Sequence, residues 1–102
     1  MEEYKLYEDD HPVGDGIQKL YRFPNGYGAS VIRFSINVPG VGMVPCSFGA
    51  EHGLWELALV KFDGSNFELV YEHGFDDVIG RLTDDEVLEK LNIIKEIEVS
   101  HE

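Results

Sequence analysis

Apolar side chains recur at alternate positions in two runs, Trp55–Phe62 and Phe67–Tyr71, on either side of Asp63-Gly64-Ser65-Asn66. A period of two predicts strands, and a glycine leading a two-residue turn supplies the φ > 0 that a tight hairpin needs. With Gly64-Ser65 as the reversal, Phe62 pairs with Phe67, Lys61 with Glu68, Val60 with Leu69, Leu59 with Val70 and Ala58 with Tyr71. One face then holds Ala58, Val60, Phe62, Phe67, Leu69 and Tyr71, with no charge among them. The other is mixed, setting Leu57, Leu59 and Val70 beside the Lys61–Glu68 pair. The uncharged face is therefore the expected buried one.

Alternation also predicts a strand over Ile17–Phe23, a hairpin turn at Pro24-Asn25-Gly26 and a strand from about Tyr27 to Val38. In the latter, Ile32, Phe34, Ile36 and Val38 oppose Val31, Arg33, Ser35 and Asn37. Pro39-Gly40 suits a type II turn, and Met43–Phe48 returns as a further strand in which Pro45 marks an edge or a bulge. The period then changes. Thr83-Asp84-Asp85-Glu86 reads as a capping box opening a helix from Asp84 to about Glu98, with an apolar stripe of Val87, Leu88, Leu91, Ile94 and Ile97. That helix is expected to lie on the uncharged hairpin face. The fold class is thus α+β: an antiparallel meander sheet of about four or five strands with one C-terminal helix packed on one face. Residues 1–16 carry many carboxylates, Pro12 and no sustained period, and read as an acidic N-terminal arm with a short strand at Tyr4–Tyr7. Residues 17–102 form a single α+β domain.

Composition changes this picture mainly through charge. Twenty acidic residues against eight basic ones give a net −12, which disfavours direct binding to nucleic acid or anionic lipid and favours a basic partner. No apolar run is long enough to cross a membrane as a helix, and the acidic start lacks the basic residues of a signal peptide, so a cytoplasmic location is expected. The single cysteine, Cys46, lies between Val44 and Phe48 and is expected to be a buried, inert thiol. Gly26–Gly28 and Gly40–Gly42 do not open helices after strands and read as turns. Tyr21, Phe23, Tyr27 and Phe34 interleave with Lys19, Arg22 and Arg33 as a nucleic-acid stacking sheet would, but three cations in so acidic a chain favour packing.

Glu-His-Gly occurs twice, at Glu51–Gly53 and Glu72–Gly74. Extending the hairpin register puts Glu56 opposite His73, and His52 near Asp76 and Asp77. Glu51, His52, Glu72, His73, Asp76 and Asp77 are then a candidate zinc or manganese set, with hydrolysis as the chemistry it would support, because imidazole and carboxylate both suit those ions. The competing reading is polar connector sequence in which glycine makes the turn.

Three segments, Asn25-Gly26-Tyr27-Gly28-Ala29-Ser30-Val31, Gly53-Leu54-Trp55-Glu56-Leu57-Ala58 and Asp77-Val78-Ile79-Gly80-Arg81-Leu82-Thr83, resemble in order and spacing a group of small accessory proteins of tailed bacteriophages. The resemblance runs from about Ile17 to Ile97, departs most over Met43–Phe48 and brings no catalytic or binding residues with it. It implies a phage or prophage accessory gene expressed in a bacterial cytoplasm. With no catalytic set and no cofactor expected, the preferred reading is a non-enzymatic interaction protein. Its acidic surface, through Glu8, Asp9, Asp10, Asp76, Asp77, Asp84, Asp85 and Glu86, would block a basic, nucleic-acid-facing site on a host defence protein. The alternatives are the metal- or ligand-binding protein above and an oligomeric assembly module in which self-association covers Leu57, Leu59 and Val70.

Overall fold

Each of these alternating runs forms a strand of one antiparallel sheet in the computed structural model, which describes residues 2–10, 15–47, 52–75 and 77–98. A short 3₁₀ turn, Glu2–Tyr4, leads into β1 (Lys5–Asp10), β2 (Asp15–Arg22), β3 (Tyr27–Val38), β4 (Gly42–Pro45), β5 (Trp55–Asp63), β6 (Asn66–Leu69), β7 (Ile79–Leu82) and α1 (Asp84–Lys95). The strands run β1-β2-β3-β5-β6, with β4 on β3 and β7 on β5. Two long strands organise the sheet. One edge of β3 pairs with β2; the other is shared, Tyr27–Ile32 against β5 and Ser35–Val38 against β4. The far edge of β5 is shared likewise, by β6 near the hairpin turn and by β7 at Trp55 and Leu57.

The α+β class and the C-terminal helix on one face agree with the sequence reading, while the strands number seven among the described residues. The additional ones are β1 and β7. β1 spans more than the strand expected at Tyr4–Tyr7 and joins the sheet edge through pairs such as Glu8 with Lys19 and Asp10 with Ile17. β7 is only four residues long and carries a bulge opposite Trp55–Leu57, where Arg81 adopts φ +58°. So short and irregular a strand leaves no period to read.

The hairpin register is the expected one: Asp63 faces Asn66, Phe62 faces Phe67, Lys61 faces Glu68 and Val60 faces Leu69. Gly64 takes φ +64°, as the first turn position requires. The choice of face is reversed. α1 packs over Trp55, Leu57 and Leu59, while of the face expected beneath it Val60 is buried and Phe67, Leu69 and Tyr71 are exposed. The cause is registry with the neighbouring strands. Leu59 pairs with Ala29, and Ala29 with Tyr21; Leu57 pairs with Val31. Val87, Leu91 and Ile94 of α1 close over this surface with Phe23, Tyr27, Phe75 and Leu82. The Lys61–Glu68 pair occupies the turn end of the same face and does not interrupt the apolar patch under the helix. Leu88, expected in the helical stripe, is exposed.

Both helix ends are fastened. Thr83 Oγ1 accepts from the Glu86 amide at 3.2 Å and Glu86 Oε1 from the Thr83 amide at 3.1 Å, completing the capping box. The C-terminus has a distant cap. Asn25, in the β2–β3 turn, donates through Nδ2 to the carbonyls of Ile94 at 2.9 Å, Lys95 at 3.2 Å and Ile97 at 3.0 Å, and its Oδ1 accepts from the Tyr27 amide. Pro24 and Asn25 form the turn, Gly26 follows at φ +87°, and its amide bonds the Phe23 carbonyl, so the Asn-Gly hairpin is a three-residue one with a glycine bulge.

β4 is shorter than expected and ends at Pro45 on the sheet edge; Cys46 is exposed, not buried, and Phe48 lies outside the described residues. The thiol leaves the strand pattern because the chain turns in at Ser47, whose buried hydroxyl bonds the Phe34 amide at 3.0 Å.

Urea unfolding checks this arrangement. Leu59→Ala should lower stability by about 3 kcal/mol, as a buried leucine does, whereas Leu69→Ala should stay within about 0.5 kcal/mol. Asn25→Ala should cost about 2 kcal/mol through uncapped carbonyls.

Candidate functional site

Alternation on β2 and β3 brings Lys19, Tyr21 and Arg33 to the face that holds Trp55, just beyond the first turn of α1. Together with Glu2, Asp84, Asp85, Val87, Leu88 and Leu91 they line a groove of about 500 Å³. Lys19 Nζ lies 4.4 Å from the centre of the Trp55 ring and the Arg33 guanidinium 4.2 Å from it. Trp55 Nε1 donates to Asp84 Oδ1 at 2.7 Å, which ties the groove floor to the helix start. Arg33 also donates to the Gly53 carbonyl at 3.0 Å. The groove has a cationic, aromatic floor and carboxylates at its rim.

The expected acidic surface divides once the side chains are placed. Glu8 accepts from Lys5 at 2.8 Å and stands 3.8 Å from Lys19; the Lys5 ammonium, and Lys19 beyond it, hold the Glu8 carboxyl below its usual range. The bond to Glu2, and then this one to Glu8, pushes Lys5 upward. Asp84 serves Trp55, Glu86 serves the helix cap, and Asp77 accepts from the Val78 amide at 2.7 Å. Asp9, Asp10 and Asp85 project into solvent, Asp9 and Asp10 from a sheet strand rather than a loose arm. Asp76 lies outside the described residues.

The two Glu-His-Gly segments are not brought together. β6 ends at Leu69 and β7 takes the place beside Trp55 and Leu57, so His73 does not face Glu56. His73 (φ +56°) and Gly74 (φ +87°) instead form the centre of a tight turn closed by the Phe75 amide on the Glu72 carbonyl at 3.0 Å. His73 approaches Tyr27, whereas Gly53 is held by Arg33; Tyr27 and Arg33 lie about 20 Å apart along β3 at roughly 3.3 Å per residue. Among the described residues no three His, Cys, Asp or Glu side chains gather as a metal site, and Glu51 is outside them.

The second segment does build a polar cluster that sequence reasoning missed. The buried Tyr27 hydroxyl donates to Glu72 Oε1 and lies 3.1 Å from His73 Nε2, with the His73 ring edge-on to the tyrosine. The bond to Glu72, then burial, then the carboxylate charge push Tyr27 up to about 12. Neither this cluster nor the Asn25 cap leaves a local signal, because each joins residues more than forty positions apart. The groove is partly legible: Lys19, Tyr21 and Arg33 belong to the interleaved cations and aromatics of the sequence, but their meeting with Trp55 depends on which face the helix takes.

Tyr27→Phe should lower stability near neutral pH by about 1 kcal/mol, one hydrogen bond. A tyrosine whose folded value is raised contributes fully below its unfolded value of 10.0, and that contribution is lost as pH rises toward about 12. The stability difference between wild type and Tyr27→Phe should therefore close across that window, as read by urea unfolding at stepped pH.

Comparison with protein-family models, curated proteins and solved structures found no match to this chain.

Proposed function

We propose that this chain is a non-enzymatic interaction protein whose acidic surface occupies a basic, normally nucleic-acid-facing site on another protein. The observation that carries this reading is the distribution of charge. Five of the eight cations, Lys19, Arg22, Arg33, Lys61 and Lys95, lie over aromatic rings of the protein itself, at 4.2–5.9 Å. Lys5 is held between Glu2 at 2.7 Å and Glu8 at 2.8 Å. With these cations drawn onto the protein's own rings and carboxylates, Asp9 and Asp10 on β1 and Asp85 and Glu89 on α1 stand exposed. A compact acidic surface of this kind suits a site shaped for phosphates, and opposite charge speeds the encounter. The resemblance to tailed-phage accessory proteins makes a host defence nuclease the preferred partner and a bacterial cytoplasm the preferred setting. No helix among the described residues is long and apolar enough to cross a membrane.

Immobilised protein should retain a nucleic-acid-binding protein from bacterial lysate at about 50 mM salt and release it by about 500 mM, since exposed charges are screened beyond a few ångströms there. The triple variant Asp9→Lys/Asp10→Lys/Asp85→Lys, which alters only carboxylates with no structural partner described above, should retain much less. Equal retention by both proteins, or retention indifferent to salt, overturns the reading.

A further inference from the structure

The two outer edges of the sheet are built differently. β1 presents Glu8, Asp9 and Asp10, and carboxylates along an edge oppose pairing with another strand. β6 carries a single carboxylate, Glu68, on the face that α1 covers; on its other face Phe67 and Leu69 are 42% and 50% exposed, and Tyr71, two residues beyond the strand, is 60% exposed. Its backbone is also open. Val70 donates to the Leu59 carbonyl at 3.1 Å, so Val70 and, by alternation, Glu68 turn their amides and carbonyls toward β5. Those of Phe67 and Leu69 consequently point away from the sheet, and among the described residues β6 pairs with β5 alone.

We infer that β6 is the edge on which a second copy of this chain pairs, antiparallel about a two-fold axis at Leu69. The strand is complementary to itself in that one register. Leu69 meets its own mate, and Phe67 meets Tyr71 of the other copy. Phe67 and Leu69 are positions whose amides and carbonyls face outward, and the joined strand carries the same alternation on to Tyr71, so the apolar contacts and the backbone bonds fall into step. On the opposite face Glu68 meets Val70 rather than another Glu68. A shift of the axis to Glu68 would also bring outward backbone groups together, Phe67 against Leu69, but would set two carboxylates face to face. Two sheets would thereby join into one continuous sheet across the two-fold axis, with both copies of α1 on the same face. The inference does not depend on the acidic-surface reading, and salt separates them. Screening weakens capture of a basic partner, whereas it strengthens the joining of two copies that each carry −12.

Sedimentation equilibrium over the order of 10–300 μM tests it, a range suited to a small interface. The wild type should dimerise, more tightly at about 500 mM than at about 50 mM salt. Leu69→Pro removes an outward donor and leaves the bonds to β5 intact, so it should weaken the dimer at least about tenfold while circular dichroism stays native. Leu69→Lys keeps the backbone and should weaken the dimer likewise, which decides the matter if the proline variant fails to fold. Ile93→Lys, at an exposed apolar site on α1, should leave it unchanged. A wild type monomeric throughout the range overturns the inference, even if β6 were then found to accept a strand from another protein. So does a dimer that both Leu69 variants leave intact.

Discussion

The position of α1 over Trp55, Leu57 and Leu59 is the constraint on which the remaining structure depends, and it is held at three places. The capping box fixes the helix start, the bond from Trp55 to Asp84 ties that start to β5, and Asn25 closes the far end from the β2–β3 turn. The lengths agree. Twelve helical residues span about 18 Å at 1.5 Å per residue, and the stretch of β5 from Trp55 to Lys61 spans about 20 Å. A helix of this length therefore reaches from Trp55 to the turn that carries Asn25. Between its ends, Val87, Leu91 and Ile94 cover the apolar rows that β2, β3 and β5 bring into register. The groove lies where the cover stops, at the first turn.

The legible part of this fold is the part written in neighbouring residues. The Gly64-Ser65 reversal, the Tyr27–Val38 strand, the type II turn at Pro39-Gly40 (with the Val41 amide on the Val38 carbonyl at 2.9 Å) and the Thr83 capping box each follow from a few adjacent positions. The buried face of the hairpin does not. Two residues of opposite charge, Lys61 and Glu68, made one face look wet, yet a charged pair at the turn end leaves the rest of that face free to be covered. Which face is covered is settled by Ala29, Val31 and Tyr21, which stand on other strands. The same distinction explains the candidate sites. His73 and Glu72 stand out as a repeated motif, but their partner is Tyr27, forty-five positions from Glu72, and the turn they form carries them away from Glu56.

Cations laid on rings give an acidic protein a particular economy of charge. Lys19 and Arg33 flank Trp55, Arg22 lies 4.9 Å from the centre of the Phe62 ring while donating to the Gly64 carbonyl at 2.9 Å, and Lys61 stands over Tyr27. Each such contact is worth about 0.5–1 kcal/mol at an exposed site, comparable with a surface ion pair. Their larger consequence is positional. The apolar stems cover aromatic surface and the positive charge is retained close to the sheet, while Asp9, Asp10, Asp85 and Glu89 stand exposed on β1 and α1.

The sharing of the β5 edge between β6 and β7 accounts for the contrast between the sheet's two ends. β6 could lengthen along β5 only by displacing Leu82 and Ile79 from Trp55 and Leu57, and Leu82 belongs to the core beneath the helix. The His73-Gly74 turn enforces the handover: both of its central residues take φ > 0, so the chain reverses within two residues and delivers Phe75 into that core. Tyr27 anchors the turn through Glu72 and His73. β6 is consequently short, and its outer side, with Phe67, Leu69 and Tyr71, faces away from every element that could fold over it among the described residues. The exposed apolar edge is thus the consequence of bringing β7 and Phe75 under α1, because the contacts that complete the core fix where β6 must stop.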